Sequence, residues 1–108
     1  MIKSFRSKEA KRIPSHPGKI LLAEFIEPLG LTQYRVAKEA GISHPTMTAI
    51  INGTRPISVE NAIRLGLYFG IDAEFWINLQ SHYELRLARR KLVSRLQREV
   101  KPCERVAA

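Results

Sequence analysis

Two short helical patterns with a single glycine between them constrain the fold of this chain more than any other feature of its sequence. In each pattern the apolar residues recur at intervals of three and four, which is typical of one buried face of an α-helix. These residues are Val36, Ala37 and Ala40 before Gly41, and Met47, Ile50 and Ile51 after it. Helices this short are marginal in isolation because nucleation is costly. We therefore expect two brief helices that meet at Gly41 and are held in place by the rest of the chain.

The residues that flank the two patterns are types that begin and end helices. Thr32 and Ser43 are suitable N-caps, because a short side-chain oxygen can accept a hydrogen bond from the first free N–H groups. Gly41 can adopt the left-handed conformation that ends many helices. A glycine elbow lets the two helices cross steeply, which is the helix-turn-helix arrangement.

Three further helical segments surround this pair, and no segment has the alternating pattern of a β-strand. A first helix is expected over residues 19–27, entered through SHPG at residues 15–18, where a short polar residue and a proline lie near the first turn. A fourth is expected over residues 58–70. A fifth follows over residues 72–102, with Asp72 as its cap. The predicted fold class is all-α, a compact five-helix bundle with an extended basic C-terminal helix.

The positive charge of the chain lies in two flanks around a slightly acidic middle. The net charge is +8 and the pI is about 10.2. Such a chain attracts polyanions, nucleic acid first and acidic protein surfaces second, although charged ends can also simply keep a small protein soluble. From charge and pattern together we predict three parts: a basic N-terminal arm (1–15), a helix-turn-helix domain (16–85) and a basic C-terminal helical extension and tail (86–108).

Cysteine usage and hydropathy suggest a compartment. A single cysteine, Cys103, excludes an intramolecular disulfide and fits a reducing cytoplasm. No apolar run approaches the roughly 20 residues of a membrane span, and the first residues lack the apolar stretch of a secretory signal. We expect a cytoplasmic protein without a membrane partner.

Nothing in the sequence has the spacing of a catalytic or metal site. The three histidines and the cysteine are far apart and form no ligand pattern such as CxxC or HExxH. Neither a glycine-rich phosphate loop nor a serine nucleophile elbow is present. We expect no enzymatic activity, no cofactor and no metal ion.

The remaining positions of the second short helix face outward in this arrangement, and their side chains are short and mostly polar. Short side chains let a helix approach base edges in the major groove of DNA, where hydroxyls can hydrogen-bond and methyl groups can meet thymine methyls. These positions are His44, Pro45, Thr46, Thr48 and Ala49. Residues at helix starts and in the following loop typically meet phosphates; here they are Thr32, Gln33, Ser43, Asn52 and Arg55. The same geometry also occurs as plain packing, and no Arg or Lys lies at the outward positions, so both interpretations stay open.

Two apolar stripes of the fifth helix could bind a partner or belong to the core. We favour the core for Phe75, Trp76 and Leu79, with the Trp76 indole N–H finding a hydrogen-bond partner. In residues 85–100, LRLARRKLVSRLQREV, leucines alternate with arginines. Contact with a twin subunit or a partner is the favoured interpretation of this stretch, ahead of a solvated extension, DNA contact and a membrane surface.

Three stretches in combination match a known family: HPGKIL with EPLGLTQ, INGTRPIS, and EFWINLQ followed by Tyr83. Through them the chain from His16 to Leu85 resembles the HigA-type antitoxins, also called VapI-like, of the Xre class of phage-repressor-like helix-turn-helix proteins. The resemblance implies a phage-repressor-like bundle that neutralises a RelE-like toxin, which cleaves messenger RNA on the ribosome. It also implies binding to operator DNA in the protein's own promoter, usually as a dimer, with repression of the operon.

By the same resemblance, seven residues fall at DNA-contacting positions: Gln33, Ser43, His44, Pro45, Thr46, Thr48 and Ala49. The expected partners are operator DNA, a cognate RelE-like toxin and a second copy of the chain. A stand-alone phage-type repressor without a toxin, and a protein-interaction module that no longer binds DNA, are the alternatives. The basic end from Arg86 onward lies outside the resemblance.

Overall fold

The computed structural model describes residues 15–104, and within them the chain forms five helices and no strand. Helix α1 covers Pro17–Ile20 and continues as a π-helical segment, Leu21–Ile26. The four helices that follow are α2, Gln33–Ala40; α3, His44–Ile51; α4, Val59–Phe69; and α5, Ala73–Glu99. The all-α five-helix prediction is confirmed, whereas the predicted basic arm lies outside the described residues except for Ser15.

The side chain of a histidine caps the start of helix α1. His16 Nδ1 accepts a hydrogen bond from the Gly18 N–H at 2.9 Å, so the cap is His16 and not the short polar Ser15 before it. The His16 ring is buried and meets the Tyr83 ring edge-on, with ring centroids 4.9 Å apart. A Cβ atom on Gly18 would overlap the carbonyl oxygen of Ile50. The backbone of α1 therefore lies directly against the end of α3.

The first helix widens where the sequence predicts a regular α-helix. The Glu27 N–H donates to the carbonyl oxygen of Leu22, five residues back, at 3.0 Å. Leu21 and Ile26 are both buried, yet residues five apart point about 140° away from each other on an α-helix. The wider π turn brings this pair to one side of the backbone. The predicted helix over residues 19–27 is present, but from Leu21 to Ile26 its turn is a π-helix.

The side chain of Trp76 is fully buried in the core. The rings of Phe25, Phe69 and Phe75 lie around it at centroid distances of 4.9, 6.1 and 5.0 Å. Trp76 and the partly buried Leu79 join the core as predicted, while Phe75 stays 37% exposed. The other core residues are Leu21, Ile26, Val36, Ala37, Ala40, Ile42, Met47, Ile50, Ile57, Ala62 and Leu65.

The prediction that the Trp76 indole N–H has a hydrogen-bond partner is wrong. Within residues 15–104, the indole Nε1 has no hydrogen bond. A buried unsatisfied donor costs about 1–3 kcal/mol, and the aromatic rings around it bring no oxygen or nitrogen acceptor with them. Ring packing, which contributes roughly 0.5–1.5 kcal/mol per aromatic pair beyond area burial, offsets this cost.

Helix α5 differs from the prediction at both ends. Asp72 precedes it, but the Asp72 side chain makes no capping hydrogen bond. Its backbone carbonyl accepts instead, from the Phe75 N–H at 3.0 Å. The helix ends at Glu99 with Val100 extended, before Pro102 is reached. A proline disfavours the helical conformation of the residue before it, so the chain leaves the helix before Pro102.

The second half of α5 extends beyond the core. After Gln80, no described residue is buried, and the apolar side chains of Leu85, Val93 and Leu96 are 37% to 48% exposed. The helix passes residue 85 without a break, and the division of the chain at that point stays a prediction. Among the described helices, none is both long and apolar enough to cross a bilayer.

The buried His16 cap makes stability depend on pH. Burial holds the pKa of His16 below its ordinary value, because the charged ring loses its hydration. Its contribution is fully present above about pH 6.5, the unfolded pKa, and is lost as the pH falls from there to the lowered pKa of the folded state. We expect the urea midpoint of the wild-type chain to fall between pH 7.5 and pH 5.5.

Replacing the titrating cap should flatten that profile. His16→Asn keeps a side-chain acceptor at the N-cap but loses the buried ring against Tyr83, so its urea midpoint should be lower at pH 7.5. Because it has no ring to protonate, its midpoint should also depend less on pH. His82→Asn, at an exposed position, is the matched control and should keep the wild-type profile. The account of the cap is wrong if the His16 variant loses as much stability on acidification as the wild type.

Candidate nucleic-acid interface

The turn between α2 and α3 has the geometry that the sequence predicts. Gly41 has a φ of 74°, in the left-handed region that costs a residue with a Cβ roughly 1–2 kcal/mol. The Ile42 N–H then returns to the carbonyl oxygen of Ala37 at 2.9 Å. This bond satisfies a carbonyl at the end of α2. The chain can therefore enter α3 at a steep angle within a few residues.

Side-chain caps fix the starts of both helices. Thr32 Oγ1 accepts from the Arg35 N–H at 3.0 Å, and Ser43 Oγ accepts from the Thr46 N–H at 3.3 Å. Both caps are confirmed. Each contributes about 1 kcal/mol, which matters for helices of only eight residues.

Helix α4 holds the C-terminal half of α2. Arg64 Nη1 donates to the carbonyl oxygen of Ala40 at 3.3 Å, and the Tyr68 hydroxyl donates to Glu39 Oε1 at 2.6 Å. The bond from that hydroxyl, together with the Arg35 guanidinium 3.2 Å from the same carboxylate, holds the pKa of Glu39 below its ordinary value. The same hydrogen bond to Glu39 raises the pKa of the Tyr68 hydroxyl. The orientation of α2 is thus fixed before α3 begins.

One side of α3 belongs to the core and the other is surface. Met47 and Ile50 have no exposed area. The outward positions that the sequence predicts are exposed at His44, Pro45 and Thr48, and partly exposed at Thr46 and Ala49. Because the buried residues alternate with these outward residues at helical spacing, α3 presents a row of short, mostly polar side chains to solvent. This row, called the ridge below, consists of His44, Pro45, Thr46, Thr48 and Ala49.

Hydrogen bonds join this ridge to neighbouring elements. Gln33 Nε2, at the start of α2, donates to Thr48 Oγ1 at 2.9 Å. The Ser43 hydroxyl donates to Thr46 Oγ1 at 2.8 Å. Since each threonine oxygen accepts from within the protein, its own O–H stays available as a donor. A donor at these positions suits base-edge acceptors such as thymine O4 and guanine N7.

Arg55 brings a positive charge to the ridge. It lies in the loop between α3 and α4, and its Nη1 donates to Thr46 Oγ1 at 3.1 Å. The sequence places no Arg or Lys at the outward positions of α3, and the fold supplies one from a loop nine residues away. A guanidinium has five N–H donors in a planar fork, which matches phosphate oxygens and the guanine edge.

An aromatic pair that the sequence does not predict lies beside the ridge. Tyr34 stacks on His44, with ring centroids 4.3 Å apart and planes 20° from parallel. Tyr34 is 61% exposed. Tyr34 is the second residue of α2 and His44 the first residue of α3, so the two rings lie at the starts of the two helices. Tyrosine hydroxyls are among the groups that contact DNA phosphates.

The ten candidate residues do not form a single cluster. Five of them fall into two separate hydrogen-bonded groups, the pair Gln33 and Thr48 and the trio Ser43, Thr46 and Arg55. Thr32 is committed to capping. Asn52 follows the other end of α3, roughly 14 Å along the axis from Ser43. Within residues 15–104, no three His, Cys, Asp or Glu side chains lie close enough together to hold a metal ion.

Comparison with known proteins places this geometry in a family. The pattern of a helix-turn-helix family matches residues 22–76. Virulence-associated protein I of Dichelobacter nodosus is 40% identical over 73 residues, which cover 68% of each chain. The chain belongs to the HigA-type, VapI-like helix-turn-helix family.

Two other members of this family are informative. Antitoxin HigA-1 of Vibrio cholerae is 36% identical over 81 residues, covering 72% of this chain and 73% of the relative. The structure of the Pseudomonas aeruginosa antitoxin HigA with the higBA promoter matches with a TM-score of 0.79 and 39% identity, over 82% of this chain and 97% of that one. The family consists of DNA-binding antitoxins and regulators, so the prediction that the chain is not an enzyme is confirmed.

The two-sided character of α3 predicts how the fold responds to substitution. Thr48→Val and Arg55→Ala change exposed side chains, so each should alter the free energy of unfolding by no more than about 0.5 kcal/mol. Met47→Ala, on the same helix, removes a fully buried side chain and should cost about 2–5 kcal/mol. Urea unfolding followed by circular dichroism measures all three. A loss in the two surface variants as large as that in the Met47 variant would contradict the assignment of faces.

Proposed function

We propose that this chain is an antitoxin that binds operator DNA through α3, represses its own operon and neutralises a RelE-like toxin. The observation that supports this most directly is the exposed ridge of α3, with its threonine hydroxyls held as donors and Arg55 beside them. The ridge lies on a fold shared with a HigA antitoxin whose structure includes the higBA promoter.

In the proposed complex, α3 enters the major groove with its N-terminal half against the bases. The O–H groups of Thr46 and Thr48 donate to base-edge acceptors, and the short side chains of Pro45 and Ala49 let the helix approach closely and contact thymine methyls. His44 lies at the first turn of α3, within reach of either bases or backbone. Sequence discrimination comes from this group of contacts.

Contacts to the phosphate backbone set the register of the protein on the duplex. Arg55 supplies a charged fork at one edge of the ridge, and Gln33 supplies an amide at the start of α2. Asn52 and the capped helix starts at Thr32 and Ser43 offer further polar groups at the surface. Contacts of this kind position a protein without carrying sequence information.

Two copies of the chain bind one operator in this proposal. A single ridge of eight residues touches too little DNA for tight specific binding, whereas paired recognition helices about 34 Å apart contact two half-sites in successive major grooves. Occlusion of the promoter then gives repression. Both DNA and the RelE-like toxin are met in the cytoplasm, where we expect this chain to act.

Operator binding is tested by a gel shift with the DNA upstream of the gene. The wild-type complex should survive competitor DNA, and its log affinity should fall linearly with log salt concentration. Thr48→Glu should weaken binding by about 10- to 100-fold, since it removes a donor and places a carboxylate near the bases, while leaving the melting temperature unchanged.

The matched control adds the same charge away from α3. Ser81→Glu lies at an exposed position of α5 and should bind within about twofold of the wild type. Equal loss in both variants would mean that overall charge alone governs affinity. A wild-type shift that disappears equally for all DNA sequences under competitor would refute operator recognition.

The toxin partner is tested by co-expression with the product of the neighbouring gene. If that product is a RelE-like toxin, its expression alone should arrest growth, and co-expression of this chain should restore it. Thr48→Glu should still restore growth when both genes are driven from an unrelated promoter, because neutralisation uses a protein contact rather than the DNA-binding ridge. Operator binding without any relief of growth arrest would indicate a stand-alone regulator instead.

A further inference from the structure

The loop that carries Arg55 is held from both sides. On the α3 side, the carbonyl oxygen of Ala49 accepts from the Thr54 N–H at 2.9 Å, the Thr54 hydroxyl at 3.2 Å and the Arg55 N–H at 3.2 Å. On the other side, the Ile57 N–H donates to Gln80 Oε1 of helix α5 at 2.9 Å. Between the two anchors lies a single residue, Pro56, whose ring fixes its own φ. The backbone of Arg55 therefore has little freedom.

Gln80 makes this anchor from inside the protein. The Gln80 side chain is only 7% exposed. Within residues 15–104, Gln80 and His16 are the two buried polar residues. Ile57, whose N–H makes this bond, is also buried, with only 3% of its surface exposed. A hydrogen bond in such surroundings is shielded from competing water and is geometrically strict.

The orientation of the Gln80 amide is set by a third residue. Gln80 Nε2 donates to Glu84 Oε2, one helical turn further along α5, at 3.0 Å. An ionised carboxylate can only accept, so it selects the NH₂ end of the amide. The oxygen end is then left facing the Ile57 N–H. Glu84 thus sets the direction of the amide, and Gln80 holds the loop.

We propose that Gln80 is a positioning residue for operator binding, because the hydrogen bond from the Ile57 N–H to its buried amide fixes the loop that holds the Arg55 guanidinium against Thr46. This inference rests on the proposed function, since it concerns how Arg55 meets DNA. It assigns a DNA-related role to a residue that no duplex can touch. Without the anchor, the Arg55 backbone samples more conformations, and binding must order it again at a cost in affinity.

A double-mutant cycle between Arg55 and Gln80 tests the proposal. Gln80→Met keeps the length and burial of the side chain but removes both hydrogen bonds. Fluorescence anisotropy with labelled operator, at several salt concentrations, compares Arg55→Ala, Gln80→Met and the double variant. We expect about a 10-fold loss of affinity for Arg55→Ala and about a 3- to 10-fold loss for Gln80→Met. The double variant should bind no more weakly than Arg55→Ala, because Gln80 acts only through Arg55.

The salt dependence separates positioning from general destabilisation. If Arg55 contacts a phosphate, its loss lowers the slope of log affinity against log salt by about 0.9, and Gln80→Met should shift the slope in the same direction. Gln97→Met, the same chemical change at an exposed position of α5, should leave both affinity and slope unchanged. All measurements are made well below the melting temperature of each variant, as followed by circular dichroism.

A conservative swap provides the rescue. In the double variant Gln80→Glu with Glu84→Gln, the carboxylate at position 80 can still accept from the Ile57 N–H. It can also accept from the amide at position 84, so the bond between positions 80 and 84 is kept with its donor and acceptor exchanged. The swap conserves net charge and should restore wild-type affinity and slope. If the methionine variant does not fold, Glu84→Ala takes its place as the perturbing variant in the cycle, because it removes the acceptor that orients the Gln80 amide.

A DNA-free readout keeps the proposal distinct from the proposed function. In ¹⁵N relaxation, the order parameters of the Arg55 and Ile57 amides should fall in Gln80→Met and recover in the swap. If the wild type shows no operator preference, the proposed function fails while this readout still decides the role of Gln80 in ordering the loop. Unchanged order parameters, or equal affinity losses from Gln80→Met with and without Arg55, would overturn the positioning role.

Discussion

The packing of two eight-residue helices across a left-handed glycine is the constraint on which the rest of this molecule depends. Neither α2 nor α3 is long enough to be stable alone. Both are therefore held through buried residues, Val36 and Ala37 on one side of the elbow and Met47 and Ile50 on the other. The outward ridge of α3 exists because its opposite side is committed to the core. Any change that frees α3 from the core removes the surface as well.

Polar interactions around α3 add direction to that packing. Gln33 reaches Thr48 from α2, and Arg55 reaches Thr46 from the following loop. The charge that α3 lacks in its own sequence is thus supplied by a neighbouring segment, and that segment is fixed by Gln80 from the buried side of α5. The ridge is assembled from three parts of the chain, so its geometry is set within the protein, and in the proposed complex this lowers the ordering cost of binding.

The local elements of this fold are well predicted by the sequence. The caps at Thr32 and Ser43 both form, and Gly41 adopts the expected left-handed turn, because each depends on residues within a few positions. The π turn after Ile20 is missed, since it follows from the burial of Leu21 and Ile26 together. Such errors arise where tertiary burial competes with local periodicity.

The site is predicted only in part, for a related reason. The outward positions of α3 follow from helical spacing, but the interactions that organise them join distant segments. Gln80 lies 23 residues from Ile57, and Arg55 is separated from Thr46 by the turn at the end of α3. Histidine as the cap of α1 and the stacking of Tyr34 on His44 were missed because neither is a pairing that residue type alone indicates.

Dimethyl sulfate protection of operator DNA tests most directly whether α3 lies in the major groove. The reagent methylates guanine N7, which is exposed only in that groove. Two bound copies should protect guanines in two patches about 10 base pairs apart, on the same face of the duplex. A bound complex that leaves guanine N7 fully reactive throughout the site would contradict the account, because the ridge would then face something other than base edges.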